Sequence, residues 1–157
     1  MNTEQKWIEA ASHLAERLHC KQVDKAGADY FKGHLSFVAS LGKTWQEKVV
    51  GYLHDAAEDT PLNVEQVIQQ LEQEAKLSMA SAERENIVQV LTLLNHHLCA
   101  DRETYIRNIE GNPLARRVKM NDLKHNMDIH RLPAPTEKDY LRLERYKREY
   151  EYLSGIR

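Results

Sequence analysis

Apolar residues along this chain recur at intervals of three and four, and no stretch sustains the two-residue alternation of a half-buried strand. Trp7, Ala10, Ala11, Leu14 and Leu18 fall on one face of a helix expected over residues 3–19, with Thr3 as its N-cap. Val64, Val67, Ile68 and Leu71 repeat the pattern behind Asn63, and Ile87, Val90, Leu91 and Leu94 repeat it within a helix expected over 81–98. Between these runs the chain is punctuated. Gly42 closes a helix over 34–41, and Thr44 with Glu47 forms a capping box that opens the next one, which Pro61 ends. The piece "DRETYIRNI" stops at Gly111, and Pro113 stands in the first turn of a helix running to about Met127. After Pro133 and Pro135, Thr136 starts a C-terminal helix. Six glycines and four prolines are too few for a sandwich of many short turns. The expectation is an all-α single domain over 1–157 with six to eight helices.

Composition narrows the function classes. A chain of 157 residues with 41% hydrophobic and 29% charged residues has enough length for a proper core. The formal net charge of -2 provides no global basic field to recruit nucleic acid or a membrane surface. Any anionic ligand would need a pocket with its own lysines and arginines. Cys20 and Cys99 form no CxxC pair, which suggests reduced thiols and a cytoplasmic setting. "MNTEQKWIEA" has neither a basic nor an apolar leader segment, and no apolar run approaches the roughly 18 residues of a membrane span.

The stretch "YLHDAAEDT" departs from this ordinary pattern. It closes an apolar helical run yet carries His54, Asp55, Glu58 and Asp59. A helix C-terminus already holds partial negative charge, so three carboxylates there call for a positive partner. His54 with Glu58, and Asp55 with Asp59, stand four residues apart and share one helical turn. A divalent cation would supply the missing charge.

A second departure lies in "NPLARRVKMNDLKHNMDIHRL". The core-facing line Leu114, Val118, 122, 125, Ile129, Leu132 should be apolar throughout, but Asp122 and His125 interrupt it. A buried carboxylate needs a partner or a metal, so Asp122 is a candidate ligand with Asn126 one turn beyond. His34, directly after Gly33, can face a neighbouring helix end. His34, His54, Asp55 and Asp122 together make a two-imidazole, two-carboxylate set that suits Mn, Fe or Mg, with Zn also open. The bland readings stand beside this one: a helix cap at His54–Asp55, a structural carboxylate at Asp122, a plain helix-start histidine at His34.

In order along the chain, "HCKQVDKAG", a Tyr-then-His stretch, "LHDAAEDT" and "VKMNDLKHNM" resemble the HD-domain metal-dependent phosphohydrolases, and most of all the small alarmone hydrolases of the RelA/SpoT type. The similarity covers nearly the whole chain. It implies an HD-type helical bundle in which His34, His54, Asp55 and Asp122 hold one divalent ion, Mn2+ first and Fe2+, Mg2+ or Zn2+ as alternatives. It implies that Glu58 and Asp59 activate or orient the attacking water. Lys25, Asn126, Arg142 and Tyr146 match the family's substrate-contacting positions. The implied reaction removes pyrophosphate from the ribose 3′ position of (p)ppGpp. A phosphohydrolase acting on another nucleotide and a non-catalytic nucleotide-binding module are the alternatives. The expected partner is a small nucleotide, with a homodimer also open and neither nucleic acid nor membrane. Two departures from the family pattern bear on the substrate: Tyr30 and His34 are four residues apart where the family has three, and Asn95, His96 and His97 occupy the region where it carries a lysine. His19, His125 and His130 are read as packing or supporting residues.

Overall fold

A computed structural model describes residues 1–155. Its order is α1 (Thr3–Leu18), a π-helical turn (Phe31–Leu35), α2 (Ser36–Leu41), α3 (Trp45–Leu53), a four-residue α4 (Ala56–Asp59), α5 (Val64–Ala75), α6 (Ser81–Leu94), α7 (Arg102–Glu110), α8 (Pro113–Asn126) and α9 (Glu137–Ser154), with 3-10 turns at His96–Leu98 and Ile129–Arg131. The protein is all-α, with eight helices of six residues or more and no strand among the described residues. None of these helices is long and apolar enough to cross a membrane.

Local chemistry sets most of the boundaries. Thr44 and Glu47 cap α3 reciprocally, Asn63 and Gln66 do the same for α5, and Thr136 and Asp139 for α9. Pro113 is in the first turn of α8, where its missing N–H costs nothing. Four boundaries differ from expectation. The cap of α1 is Asn2, not Thr3, because Asn2 Oδ1 accepts from Gln5 N–H at 2.8 Å while the Gln5 side chain answers the cap's own N–H. α6 ends at Leu94, and His96–Leu98 forms a separate 3-10 turn that the Asn95 side chain caps. The helix expected to start at 34 begins earlier, as the π turn. Most consequentially, α3 stops at Leu53, and the acidic residues belong to a new short helix for which Asp55 is the N-cap residue. Glu58 and Asp59 are therefore not on the C-terminal pole of α3.

One apolar core runs through the bundle from Trp7 and Leu14 to Ile109, Val118 and Leu153. α1 packs on α3 and α5, while α8 touches α2, α3, α6, α7 and α9 and so is the central element. Two ion pairs tie the frame across long sequence distances. Buried Glu47 accepts from the N–H groups of Lys43 (2.5 Å) and Thr44 (3.0 Å) and from the Arg117 guanidinium, which fastens the start of α3 to α8. Burial raises the Glu47 pKa, but these donors outweigh it and hold the carboxyl below its usual value. Arg102 makes a two-pronged pair with Glu149 at 2.8 and 2.9 Å, joining α7 to α9.

The crossing of α2 and α3 depends on Gly51. A Cβ there would lie 2.9 Å from Ala39 Cα and 3.0 Å from Ala39 N, both backbone atoms that cannot swing away. Gly51→Ala is expected to force the two helices apart at a cost of about 1–3 kcal/mol. Each kcal/mol should lower Tm by about 2–4 °C in a chain of this size. A thermal melt matching the parent would show that the crossing is looser than described.

Candidate metal centre and cleft

The break between α3 and α4, the π turn and the middle of α8 meet at one point. His34 Nε2 lies 2.9 Å from Asp122 Oδ1, and His54 Nε2 lies 3.3 Å from the same oxygen and 3.2 Å from Asp55 Oδ2. His34, His54 and Asp55 each offer a ligand atom within 4.8 Å of the others. Two ring nitrogens thus point at two carboxylates in a region where His34, His54 and Asp122 are all buried. A nitrogen lone pair facing carboxylate oxygens is repulsive unless a proton or a cation lies between them. The donor set present fits a divalent ion bound through imidazole and carboxylate.

Each of these side chains is held from behind. His54 Nδ1–H donates to the Gly51 carbonyl at 2.7 Å, which leaves Nε2 to face the centre. The Tyr30 hydroxyl donates to Asp55 Oδ2. Lys119 Nζ donates to Asp122 Oδ2 at 2.8 Å, and Asn126 Nδ2 donates to Asp122 Oδ1 at 3.3 Å. His34 Nδ1 faces His125 Nδ1 at 2.7 Å, so one ring donates and the other accepts. An ion on His34 Nε2 requires the proton on His34 Nδ1, with His125 accepting.

The segment between Tyr30 and His34 enters the π turn over Phe31–Leu35, and such wider turns concentrate at functional sites. Tyr30 and His34 remain neighbours, with ring centroids 5.1 Å apart.

Electrostatics reflect this packing. Burial pushes the His54 imidazole down, but Asp55, Asp122 and the Gly51 carbonyl outweigh it and hold it up at about 9. Burial, then the Arg131 charge and His34, push His125 down to about 4. Asp122 is held well below the usual carboxylate range: burial opposes this, but Lys119 and the two histidines prevail. Burial and the Asp55 charge push the Tyr30 hydroxyl up, so it stays a donor. An unfolded histidine titrates near 6.5. Between about pH 4 and 6.5 the unfolded chain binds the extra proton at position 125, so ion-free stability rises with pH. From about 6.5 to 9 the folded chain holds the extra proton at His54, so stability falls. Denaturant titrations without metal should therefore peak near neutrality, and a saturating divalent ion should remove the alkaline decline by replacing the His54 proton. Stability that climbs steadily from pH 7 to 9 without metal contradicts this assignment.

A cleft of about 250 Å³ opens beside the centre and is lined by Lys25, Tyr30, His34, Asn126, Arg131, Arg142 and Tyr146, among others. A smaller cavity of about 140 Å³ reaches His54, Asp55, Glu58, His96, Arg102, Lys119 and Asp122. The two share Tyr30, His34, Asn126 and Tyr146, so they adjoin at His34, while His54, Asp55 and Asp122 line the smaller one. The four positions expected to contact substrate, Lys25, Asn126, Arg142 and Tyr146, all line the larger cleft. Lys25 rides on a tight turn in which Asp24 Oδ1 accepts from Ala26 N–H (2.8 Å) and Ala28 N–H (3.0 Å), with Gly27 at φ +81°.

The two acidic residues expected to handle water part company. Glu58 lines the small cavity, where its Oε1 accepts from His96 N–H and Nδ1–H, each at 2.8 Å. Asp59 lines neither space and accepts instead from Gln22 Nε2 at 2.9 Å. Burial and the Asp55 charge push the Asp59 carboxyl up. As consecutive residues of α4, the two side chains project about 100° apart around the helix axis. Of the supporting histidines, His19 and His125 are buried and His130 is exposed.

Several residues at the site escape a reading of the sequence. Lys119 is a buried ammonium one turn before Asp122, and its i,i+3 spacing from that residue was the available signal. Arg131 pairs with Asp24 at 3.0 Å and donates to the His125 carbonyl at 3.1 Å, closing one wall of the cleft. Arg102 and Tyr105 reach the small cavity from α7. No local pattern foretells these long-range meetings. No protein-family model matches the chain, and a search of curated proteins returns no match either.

Proposed function

We propose that this protein is an HD-type metal-dependent phosphohydrolase whose substrate is guanosine 3′,5′-bis(diphosphate) or its triphosphate form, cleaved to pyrophosphate and GDP or GTP. The observation that carries the reading is the convergence itself: His34, His54, Asp55 and Asp122 meet beside a polar cavity that adjoins a cleft carrying Lys25, Arg131 and Arg142 together with Asp24, Asp128 and Asp139. Those four side chains would hold the ion, Mn2+ first, and the ion when bound supplies a lowered water pKa and polarises a phosphoryl oxygen. Lys25 and Arg142 neutralise phosphate charge in the cleft, and Asn126 and Tyr146 position the nucleotide between them. Glu58 faces the cavity and accepts the proton of the attacking water. Water oxygen joins the 3′ phosphorus as the bond to the ribose 3′ oxygen breaks, and that oxygen takes up a proton. The location expected for such an enzyme is the cytoplasm.

A general nucleotide phosphohydrolase is the second reading. It is favoured by the region of Asn95, His96 and His97, which replaces the lysine-bearing stretch of the alarmone hydrolases and brings His96 to the small cavity. Incubating Mn2+-loaded protein with ppGpp, pppGpp and a panel of ordinary nucleotides separates the two. The first reading predicts equimolar pyrophosphate and GDP from ppGpp, with ordinary nucleotides untouched. Orthophosphate from mononucleotides and no attack on ppGpp would select the second. No turnover of any phosphoester would end both.

A further inference from the structure

We propose that Glu58, His96 and His97 form a second divalent-cation site at the rim of the small cavity, suited to ions that favour imidazole nitrogen, such as Zn2+. The three side chains each offer a ligand atom within 4.8 Å of the others. The Glu58 carboxylate and His96 Nδ1 are already in contact at 2.8 Å, and the two imidazole centroids are 4.4 Å apart. The backbone holding the histidines is fixed. Buried Asn95 caps their 3-10 turn by accepting from His97 N–H at 3.2 Å, while Glu58 accepts the His96 N–H. Two nitrogens and one carboxylate favour Zn2+, Co2+ or Ni2+ over Mg2+ or Ca2+, and three protein ligands leave a position open to water or a phosphate oxygen. The site differs from the buried cluster in accessibility: the His96 side chain is 46% exposed, against 4% for His34 and His54. An ion here is the more weakly held of the two and exchanges with solvent.

The site stands on its own geometry, independent of the proposed reaction. Its consequence rests on that reaction, because an ion on Glu58 occupies the carboxylate assigned to accept a proton. Excess Zn2+ is then expected to suppress turnover.

Equilibrium dialysis against Zn2+ with elemental analysis tests the inference. The parent protein should bind two ions, one tightly and one more loosely. His97→Ala, at an exposed position that leaves the fold intact, should weaken the looser ion by about 100-fold or more, beyond the effect of losing a residue that merely orients a ligand. Asp122→Asn should lose the tight ion and keep the loose one. A parent that binds only the tight ion, or His97→Ala titrating like the parent, overturns the second site. Loss of only the tight ion in the parent would instead remove the buried centre and leave this site standing.

Discussion

Asp122→Ala is expected to lose the buried ion and to lower phosphoester hydrolysis by about 10³-fold or more, the equivalent of several kcal/mol of transition-state stabilisation. Asp122 Oδ1 is approached by both His34 Nε2 and His54 Nε2, so its removal leaves Asp55 Oδ2, 3.8 and 3.2 Å from the same two nitrogens, as their only shared carboxylate. The same change strands Lys119. Burial pushes that ammonium toward neutrality, but the Asp122 carboxylate outweighs it and keeps the group charged. Removing one member of a buried ion pair costs about 3–5 kcal/mol. The single variant should therefore be less stable as well as inactive, which alone would not distinguish a ligand from a structural acid. Asp122→Ala with Lys119→Met makes that distinction. The pair removes both charges, so stability in a denaturant titration should recover most of the loss, while ion uptake and turnover stay absent. Restored turnover in the double variant would reduce Asp122 to half of a salt bridge.

Glu58→Gln is expected to keep the buried ion and to reduce the rate by about 10²–10⁴-fold, the range for loss of a positioned proton acceptor. The amide preserves the shape and an oxygen for the His96 donors, so the 3-10 turn at His96–Leu98 should hold. Asp59→Asn should have a much smaller effect, because Asp59 is turned to Gln22 and lines neither the cleft nor the cavity. Comparing the two variants by steady-state rate and metal content measures the division of labour. Equal losses would show that the different directions of the two side chains do not divide their roles.

The fold was legible where a short-range signal carried it. The capping box of Thr44 and Glu47, Pro113 in its first turn and Thr136 before α9 each settle a boundary within four residues. The apolar line through Leu114, Val118, 122 and 125 also marked Asp122 and His125 as polar residues facing the core, and both are buried. It failed beyond Asn126, where α8 ends and Ile129 belongs to a 3-10 turn. The π turn was not legible, because over five residues its pattern is that of an α-helix. Neither was the break after Leu53: the sequence favours continuation, but Asp55 takes ψ near 0° and aims its carboxylate at the histidines. Beyond its spacing from Asp122, Lys119 carries no signal in the sequence, because lysine on a helix normally keeps its ammonium in water. Contacts such as Glu47 with Arg117 and Asp24 with Arg131 join positions 70 and 107 residues apart, and nothing nearby in the chain announces them.

In the proposed centre, three separate segments deliver two imidazoles and two carboxylates to a single cation. Crystals grown with Mn2+ and measured at the manganese absorption edge test it directly. The anomalous map should show a dominant peak about 2 Å from His34 Nε2, His54 Nε2 and oxygens of Asp55 and Asp122. A map with no peak among those four side chains, in crystals that bind manganese elsewhere or nowhere, would contradict the claim.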